Sequence, residues 1–515
     1  MSMLGWAGLI VILLPTLGFE LEWDQGIFQY FGWGMLRGLW PYRDLWDTSF
    51  PAVMLLHAGA IAAFGKSAVG IRVIDLAWQL CTAGVIVRFG KRIRSDGAGW
   101  WAAIAYAVIY RGVGAYHTAQ RDSFLVLPLM LAALSGLRYQ ESSRRRDLLL
   151  AGLFLGQVAT FRPTYALFPV VIAAVLLWGA RRPRQERWRR AREVFWFSLV
   201  AAGPLLATAL VFVAAGKADA CVDLLRALWT VYPRLERMGR LQVLWFALRA
   251  VPVLAWIGVA AACRAPSRGS RMLLGAAALC LLVRLWESKG YRYQFWPLVA
   301  VLMPVAEEGW SRIAASLSRR LPAALQARRA SLRPAGAALV LLALGAVSLG
   351  RHAGLRQLLA LRYESASARD AALVGGDADQ AALAGYLRDH TSESDTIALW
   401  GPRTGVLVAA GRRSATRFTD PFLLFCEVDG KMALYSECDP GHRAPIQDKF
   451  RAEILDTLTA RPPRYIAAHD EAGSLAVADG PCSAPDLPEL RRILDTGYAR
   501  EVTLGKWSAF RRRAP

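Results

Sequence analysis

Acidic, aromatic and basic residues concentrate in a few short stretches of this chain. The first runs Glu20-Leu21-Glu22-Trp23-Asp24-Gln25-Gly26, followed by Trp40-Pro41-Tyr42-Arg43-Asp44-Leu45-Trp46-Asp47 and on to Pro51. A second reads Tyr116-His117-Thr118-Ala119-Gln120-Arg121-Asp122, a third Phe161-Arg162-Pro163, and a fourth Glu287-Ser288-Lys289-Gly290-Tyr291-Arg292-Tyr293. Carboxylates such as Asp24 and Asp122 can take a proton from a hydroxyl, and guanidinium or ammonium groups beside them can hold a phosphate. A single acidic residue at a helix end is more often simply solvated, and four such clusters converging on one face lower the weight of that reading for the set.

The elements between the clusters are apolar. Of 515 residues, 55% are hydrophobic, including 19 Trp. Apolar stretches recur from the N-terminus to about residue 350, and roughly 20 such residues carry a helix across a bilayer. The spans expected are 4–19, 70–88, 98–116, 123–138, 148–162, 164–180, 195–215, 242–263, 272–287, 294–309 and 335–350, which makes about eleven crossings. Pro51 to Phe64 is also apolar and is placed in the interface, where it could guide a lipid chain.

With that placement the Arg-rich loops, Arg88 to Arg94, Arg138 to Arg146, Arg181 to Arg192, Arg264 to Arg271 and Arg312 to Arg333, share one side. The positive-inside rule makes it the cytoplasm. All four clusters and everything after 350 then lie outside. The first span has no basic leader and no small-residue cleavage site, so it reads as a retained anchor. The formal charge of +22 resides in these loops and not in a basic region interleaved with stacking aromatics, so nucleic acid is not an expected partner. Seven Cys without a C-x-x-C pair and six unclustered His show no zinc signature, and no metal site is assigned. A divalent metal held by carboxylates is left open. Gly59 to Ser67 imitates a phosphate-binding loop, but the spacing of its glycines is wrong and no strand precedes it.

The tail, 351–515, reads as a small α/β domain with helices near 377–390 and Phe450 to Ala460, strands Thr396 to Trp400 and Tyr465 to His469, and a hairpin around Gly505. Cys426 and Cys438 would face an oxidising compartment and could pair. The expected architecture is thus an all-α polytopic membrane domain, 1–350, followed by an extracytoplasmic α/β domain, 351–515.

Trp23-Asp24-Gln25-Gly26, Pro41-Tyr42-Arg43-Asp44 and the Asp47 to Pro51 stretch together resemble the first external loop of the GT-C superfamily of membrane glycosyltransferases. The likeness is nearest to bacterial aminoarabinose transferases and protein O-mannosyltransferases. Gln120-Arg121-Asp122 is similar to a second acidic motif of that superfamily, and Lys289-Gly290-Tyr291 with Pro297 to a later one; the likeness covers roughly residues 1–310. It implies a polyprenyl-phosphate-linked sugar as donor, a cell-envelope acceptor, inversion at the anomeric carbon, and a catalytic base in the first external loop, which by position is Asp24. Gln25 stands where relatives carry a further acidic residue, which leaves the metal and the acceptor contacts open.

A mechanism read from the residues agrees. Asp24 would deprotonate the acceptor, Asp122 would orient acceptor or base, and Lys289, Arg121 and Arg292 would neutralise the departing phosphate or, alternatively, anchor lipid head groups. Tyr42, Arg43, Asp44, Asp47, Arg162 and Tyr291 complete the substrate-binding set, although Arg162-Pro163 also has a plain reading as a helix break. The competing classes are a transporter or flippase of lipid-linked sugars, which would place charges at mid-membrane depth, and a sensor with an external ligand domain, which leaves the carboxylate-rich loops unexplained. Topology is open to direct test: reporter tags within 181–194 and 312–333 are expected to read as cytoplasmic and tags after 351 as periplasmic, and a cytoplasmic C-terminus would overturn the assignment.

Overall fold

The structure, a computed structural model, describes residues 2–93, 99–178, 184–235, 237–319, 371–401, 403–419, 425–428, 431–434, 444–469 and 488–514. Up to residue 319 these form fifteen helices. They are α1 (Ser2–Leu13), α2 (Trp23–Met35), α3 (Pro51–Phe64), α4 (Ala68–Ile93), α5 (Trp100–Gly112), α6 (Arg121–Phe124), α7 (Val126–Ser142) and α8 (Arg145–Phe161). The series continues with α9 (Leu167–Trp178), α10 (Arg184–Ala214), α11 (Ala218–Thr230), α12 (Arg240–Ala250), α13 (Val253–Cys263), α14 (Arg268–Glu287) and α15 (Trp296–Ser318). Among the described residues four helices are long and apolar enough to cross a membrane, or up to six when two bent pairs each count as one span. The expected span 335–350 lies outside the described residues, as does Cys438 of the expected cysteine pair.

Internal contacts divide the chain into two compact units. The first comprises Met1–Gly18, Arg72–Thr208 and Met238–Leu359. Two of its helices begin where a side chain satisfies the backbone amides that a helix start leaves unpaired. Glu307 of α15 accepts from the amides of Gly99 (2.8 and 2.9 Å) and Ala102 (3.2 Å), so a carboxylate closes the N-terminus of α5. Ser267 caps α14 by accepting from the Ser270 amide at 3.1 Å. The stretch 242–263, expected as one straight span, is instead broken between α12 and α13 by 96°. Pro252 is the cause: it has no amide to continue the helix, and Val251 before it is driven to extended backbone at φ −102°, ψ 128°. At the crossing of α13 on α15 a Cβ added to Gly309 would lie 1.7 Å from the Gly258 carbonyl oxygen. Only glycine permits that approach, the small-residue packing usual between membrane helices.

The second unit comprises Phe19–Ile71, Ala209–Arg237 and Ala360–Pro515. The tail residues build β1 (Thr396–Trp400), β2 (Arg413–Ser414), β3 (Phe425–Val428), β4 (Lys431–Leu434), β5 (Tyr465–His469), β6 (Tyr498–Leu504) and β7 (Trp507–Arg512). Five of them form one sheet in the order β2-β1-β5-β7-β6, and β3 pairs with β4 separately. Strand β5 runs parallel to β1 and antiparallel to β7, and every residue of this central strand is buried. Gly505, at φ 58°, turns the β6–β7 hairpin. β1, β5 and the hairpin lie where the sequence places them, and the expected helices appear at Ala378–Asp389 and Pro445–Ala460. Asp377 starts the first of these by accepting from the amides of Asp379 and Gln380.

Candidate functional site

In the first unit the short helix α6 exists because the chain turns sharply before it. Ala119 is held at φ 51° and is fully buried, and Gln120, also fully buried, offers its carbonyl to the Ser123 amide at 2.9 Å. Asp122 follows in the first turn with none of its side chain exposed. Arg162, the extended residue that ends α8 before Pro163, reaches Asp122 through Nη1 at 2.8 Å. Its Nε and Nη2 grip both oxygens of Glu287 at 3.0 and 2.5 Å, a fork-to-fork pair. Glu287, the last residue of α14, also accepts from the Thr164 hydroxyl at 2.5 Å.

Arg284, one turn earlier on α14, lies 2.9 Å from Glu287 and 3.8 Å from Asp122 and leans over the Tyr165 ring at 5.5 Å. Arg121 stands 3.6 Å from Asp122. Two carboxylates thus meet three guanidiniums, so the cluster carries excess positive charge. The Arg284 nitrogens are buried without a hydrogen-bond acceptor of good geometry among the described residues, so this guanidinium keeps donors for an anionic oxygen.

Beyond α14 the loop residue Lys289 is 1% exposed, and its backbone amide returns to the Arg284 carbonyl at 3.4 Å. Tyr291 and Tyr293 stack with ring planes 6° apart, and Tyr293 also meets the His117 ring at 6.3 Å. Burial first, and then the charge of Arg292, push the His117 imidazole down to about 4, so this ring is neutral near pH 7.

In the second unit Asp24 occupies the first turn of α2, half-buried, where the helix N-terminus suits a carboxylate. Gln25 is fully buried, and its side-chain oxygen accepts from the Glu22 amide at 2.8 Å, half of a capping box. Gln25 therefore serves to begin the helix.

The next stretch is a self-bonded loop. Asp44 accepts from the Trp40 amide at 2.9 Å, and Asp47 from the Ser49 amide at 2.6 Å. Tyr42, at φ 67° and buried, donates its hydroxyl to the Ser49 carbonyl at 2.8 Å. Burial, reinforced by the Asp47 charge, raises the Tyr42 phenol well above its usual range and keeps it a donor. Arg417 donates to the Tyr42 carbonyl at 2.8 Å, and its own carbonyl accepts from the Trp46 amide, also at 2.8 Å. Arg43 is half-exposed, 3.6 Å from its neighbour Asp44.

Of the residues singled out by sequence, Arg121, Asp122 and Arg162 share one cluster, Lys289, Tyr291 and Arg292 follow it on the adjoining loop, and Tyr42, Arg43, Asp44 and Asp47 share the 40–51 loop. Sequence reasoning gave no role to Arg284, Glu287, Thr164 or Arg417. For Arg284 the signal was present: an arginine inside an apolar run, three residues before a glutamate. Among the described residues no group of three or more His, Cys, Asp or Glu converges as metal ligands.

The resemblance read from the loops is borne out by a family model over part of the chain and by solved structures of similar fold. A family model described as dolichyl-phosphate-mannose-protein mannosyltransferase matches residues 49–212. No curated protein matches the chain in sequence. Among solved structures it is similar to ArnT from Cupriavidus metallidurans bound to undecaprenyl phosphate, with TM-score 0.61, 14% identity, and 100% of this chain and 98% of that one covered. The apo form of the same ArnT gives TM-score 0.59 at 14% identity, over 99% and 97% of the two chains. The archaeal oligosaccharyltransferase AglB from Archaeoglobus fulgidus, in complex with an inhibitory peptide and a dolichol-phosphate, gives 0.53 at 11% identity, over 99% of this chain and 74% of that one.

Two measurements test this geometry. Glu287→Gln leaves one buried carboxylate to face three guanidiniums and is expected to lower stability by about 3–5 kcal/mol, as for other broken buried ion pairs; thermal unfolding in detergent checks it, and a negligible change would mean the cluster is solvated. For His117 the unfolded chain binds the extra proton from about 6.5 downward and the folded protein only near about 4. Its contribution to stability is therefore present above the unfolded value and lost as pH falls through that window. Titrating the unfolding midpoint should show this loss, and His117→Gln should flatten it.

Proposed function

We propose that the chain is an inverting glycosyltransferase that moves a monosaccharide from a polyprenyl-phosphate donor to an acceptor on the periplasmic side of a bacterial cytoplasmic membrane. The observation that carries the reading is the buried cluster of Asp122, Glu287, Arg162 and Arg284. Burying such a cluster costs stability, which argues that function retains it, and the excess of guanidiniums that Arg121 brings suits a phosphate. The undecaprenyl phosphate of the ArnT structure and the dolichol-phosphate of the AglB structure support a lipid phosphate as ligand.

In the proposed reaction Asp24 accepts the proton of the acceptor hydroxyl as its oxygen bonds to the anomeric carbon from the face opposite the phosphate. The bond from that carbon to the phosphate oxygen breaks, and polyprenyl phosphate leaves with the electron pair. A phosphate leaving group needs cations more than an acid, and Arg121, Arg162, Arg284, Lys289 and Arg292 are assigned to that task. Asp122 belongs to the catalytic set through the guanidiniums it orients. Tyr42, Arg43, Asp44, Asp47 and Tyr291 shape the substrate sites. The proposed division remains 1–350 for the membrane domain and 351–515 for the periplasmic one.

Purified protein with a panel of polyprenyl-phosphate sugars, monitored for released polyprenyl phosphate, tests the activity. Asp24→Asn keeps shape but loses the basic lone pair and is expected to lower transfer by about 10²–10⁴-fold. Asp44→Asn and Asp47→Asn should be milder, because their oxygens accept amides within their own loop, and Asp122→Asn should fall between. Near wild-type transfer by Asp24→Asn beside a dead Asp122→Asn would reassign the base, and activity in all four would end the catalytic reading.

A further inference from the structure

The stretch from Ala115 to Phe124, which carries Gln120, Arg121 and Asp122, is fastened by side chains of α4, α5 and α15 that the proposed reaction does not use. Arg72 donates to the Thr118 hydroxyl at 3.0 Å and to the Ala115 carbonyl at 3.4 Å. Trp78 donates to the Phe124 carbonyl and Trp296 to the His117 carbonyl, both at 2.8 Å. Between these anchors the Ala119 amide donates to the Tyr110 hydroxyl oxygen at 2.9 Å. This last bond falls on the one strained position of the stretch, since Ala119 carries a Cβ yet sits at φ 51°.

A tyrosine hydroxyl can serve as acceptor there only if its own proton points elsewhere. That proton goes to Asp75, whose Oδ1 accepts it at 2.7 Å. The same oxygen accepts from Gln79 at 3.0 Å, and Gln79 is fixed in turn by the Tyr106 hydroxyl at 2.7 Å. Asp75 is fully buried, and so is Arg72, one turn away on α4. The order of donors is therefore one-way, from the Ala119 amide to Tyr110 to Asp75. Such a network, in which each member commits the next, is worth keeping in an apolar bundle only if it holds something to a fixed geometry.

We propose that Asp75 and Tyr110 are positioning residues of the transfer site, which hold Ala119 in its left-handed conformation so that Asp122, three residues on, meets Arg162. As regards turnover this rests on the glycosyltransferase reading, but the tether itself does not. Arg72, Trp78 and Trp296 fix the ends of the stretch, and the Tyr110 contact sets its turn.

The test uses the full chain with Tyr110→Phe, with and without Ala119→Gly. Hydrogen exchange of the amides in 115–124 should quicken in Tyr110→Phe. Turnover should fall by about 10²-fold with little change in KM for the lipid-linked sugar, as expected when a reacting group is misplaced by about 1 Å. Glycine adopts positive φ without a tether, so adding Ala119→Gly should recover about ten-fold of the lost turnover. Asp75→Asn, which keeps size and one acceptor oxygen, should shift exchange and turnover in the same direction by less, and it serves if Tyr110→Phe does not fold. Unchanged exchange and turnover in a folded variant overturn the proposal. So does a fall in turnover that tracks the unfolding midpoint and is not relieved by Ala119→Gly. If wild-type protein transfers no sugar, the functional reading fails while the exchange measurement still decides whether the tether exists.

Discussion

An ion cannot be left alone among apolar helices: moving a carboxylate or guanidinium out of water costs several kcal/mol even after relaxation, and only opposed charges and saturated hydrogen bonds offset it. The ion pairs of Arg162 with Asp122 and Glu287, closed by Arg284, answer that constraint in the first unit. They also tie together three places in the chain, the first turn of α6, the end of α8 and the end of α14. Each helix stops where it must for its charged residue to arrive: α8 because Pro163 follows Arg162, α14 because Ser288 takes a left-handed backbone after Glu287. The positions of the helix ends and the compensation of charge are one requirement seen from two sides.

The second unit shows how carboxylates of the same composition divide into different roles. Asp44 and Asp47 are consumed by backbone amides a few residues away, and Gln25 by the amide that opens α2. What keeps the 40–51 loop in place is chiefly aromatic and cationic. Trp46 packs 4.7 Å from the Phe450 ring, and Arg417, which pairs with Glu453 at 2.6 Å, lies over the Trp46 ring at 4.9 Å. A carboxylate in a loop is thus not in itself a catalytic group, and the bonds it makes separate shaping from chemistry.

Much of this was legible in the chain. β1 and β5 were found residue for residue because short apolar runs bounded by polar and Pro-containing segments admit few other structures, and the hairpin was marked by Gly505. The Asp122 and Arg162 stretches stood out because charge is rare beside long apolar spans. What escaped depends on distance through space. That Arg284 turns toward Asp122 follows from how α14 packs, and an arginine near a span end reads equally well as an anchor at the interface. The break at Pro252 was visible in residue type, but an apolar window averages over it, so 242–263 read as a single crossing. Nor could spacing show that residues 19–71 gather with the tail into one compact unit, because those contacts join segments hundreds of residues apart.

The glycine crossing of α13 and α15 has a consequence for how the first unit can change shape. Where the Gly309 backbone presses on the Gly258 carbonyl the two backbones meet directly, and sliding by a fraction of a turn would drive the next residues into collision. These two helices therefore behave as a welded pair. Any breathing of the bundle has to be borne by its other seams, such as the joint at Pro252, where the continuous hydrogen-bond ladder is already cut. The weld also makes Gly309 intolerant of substitution for reasons unrelated to chemistry, so its loss would imitate a catalytic defect in a screen that reads only activity.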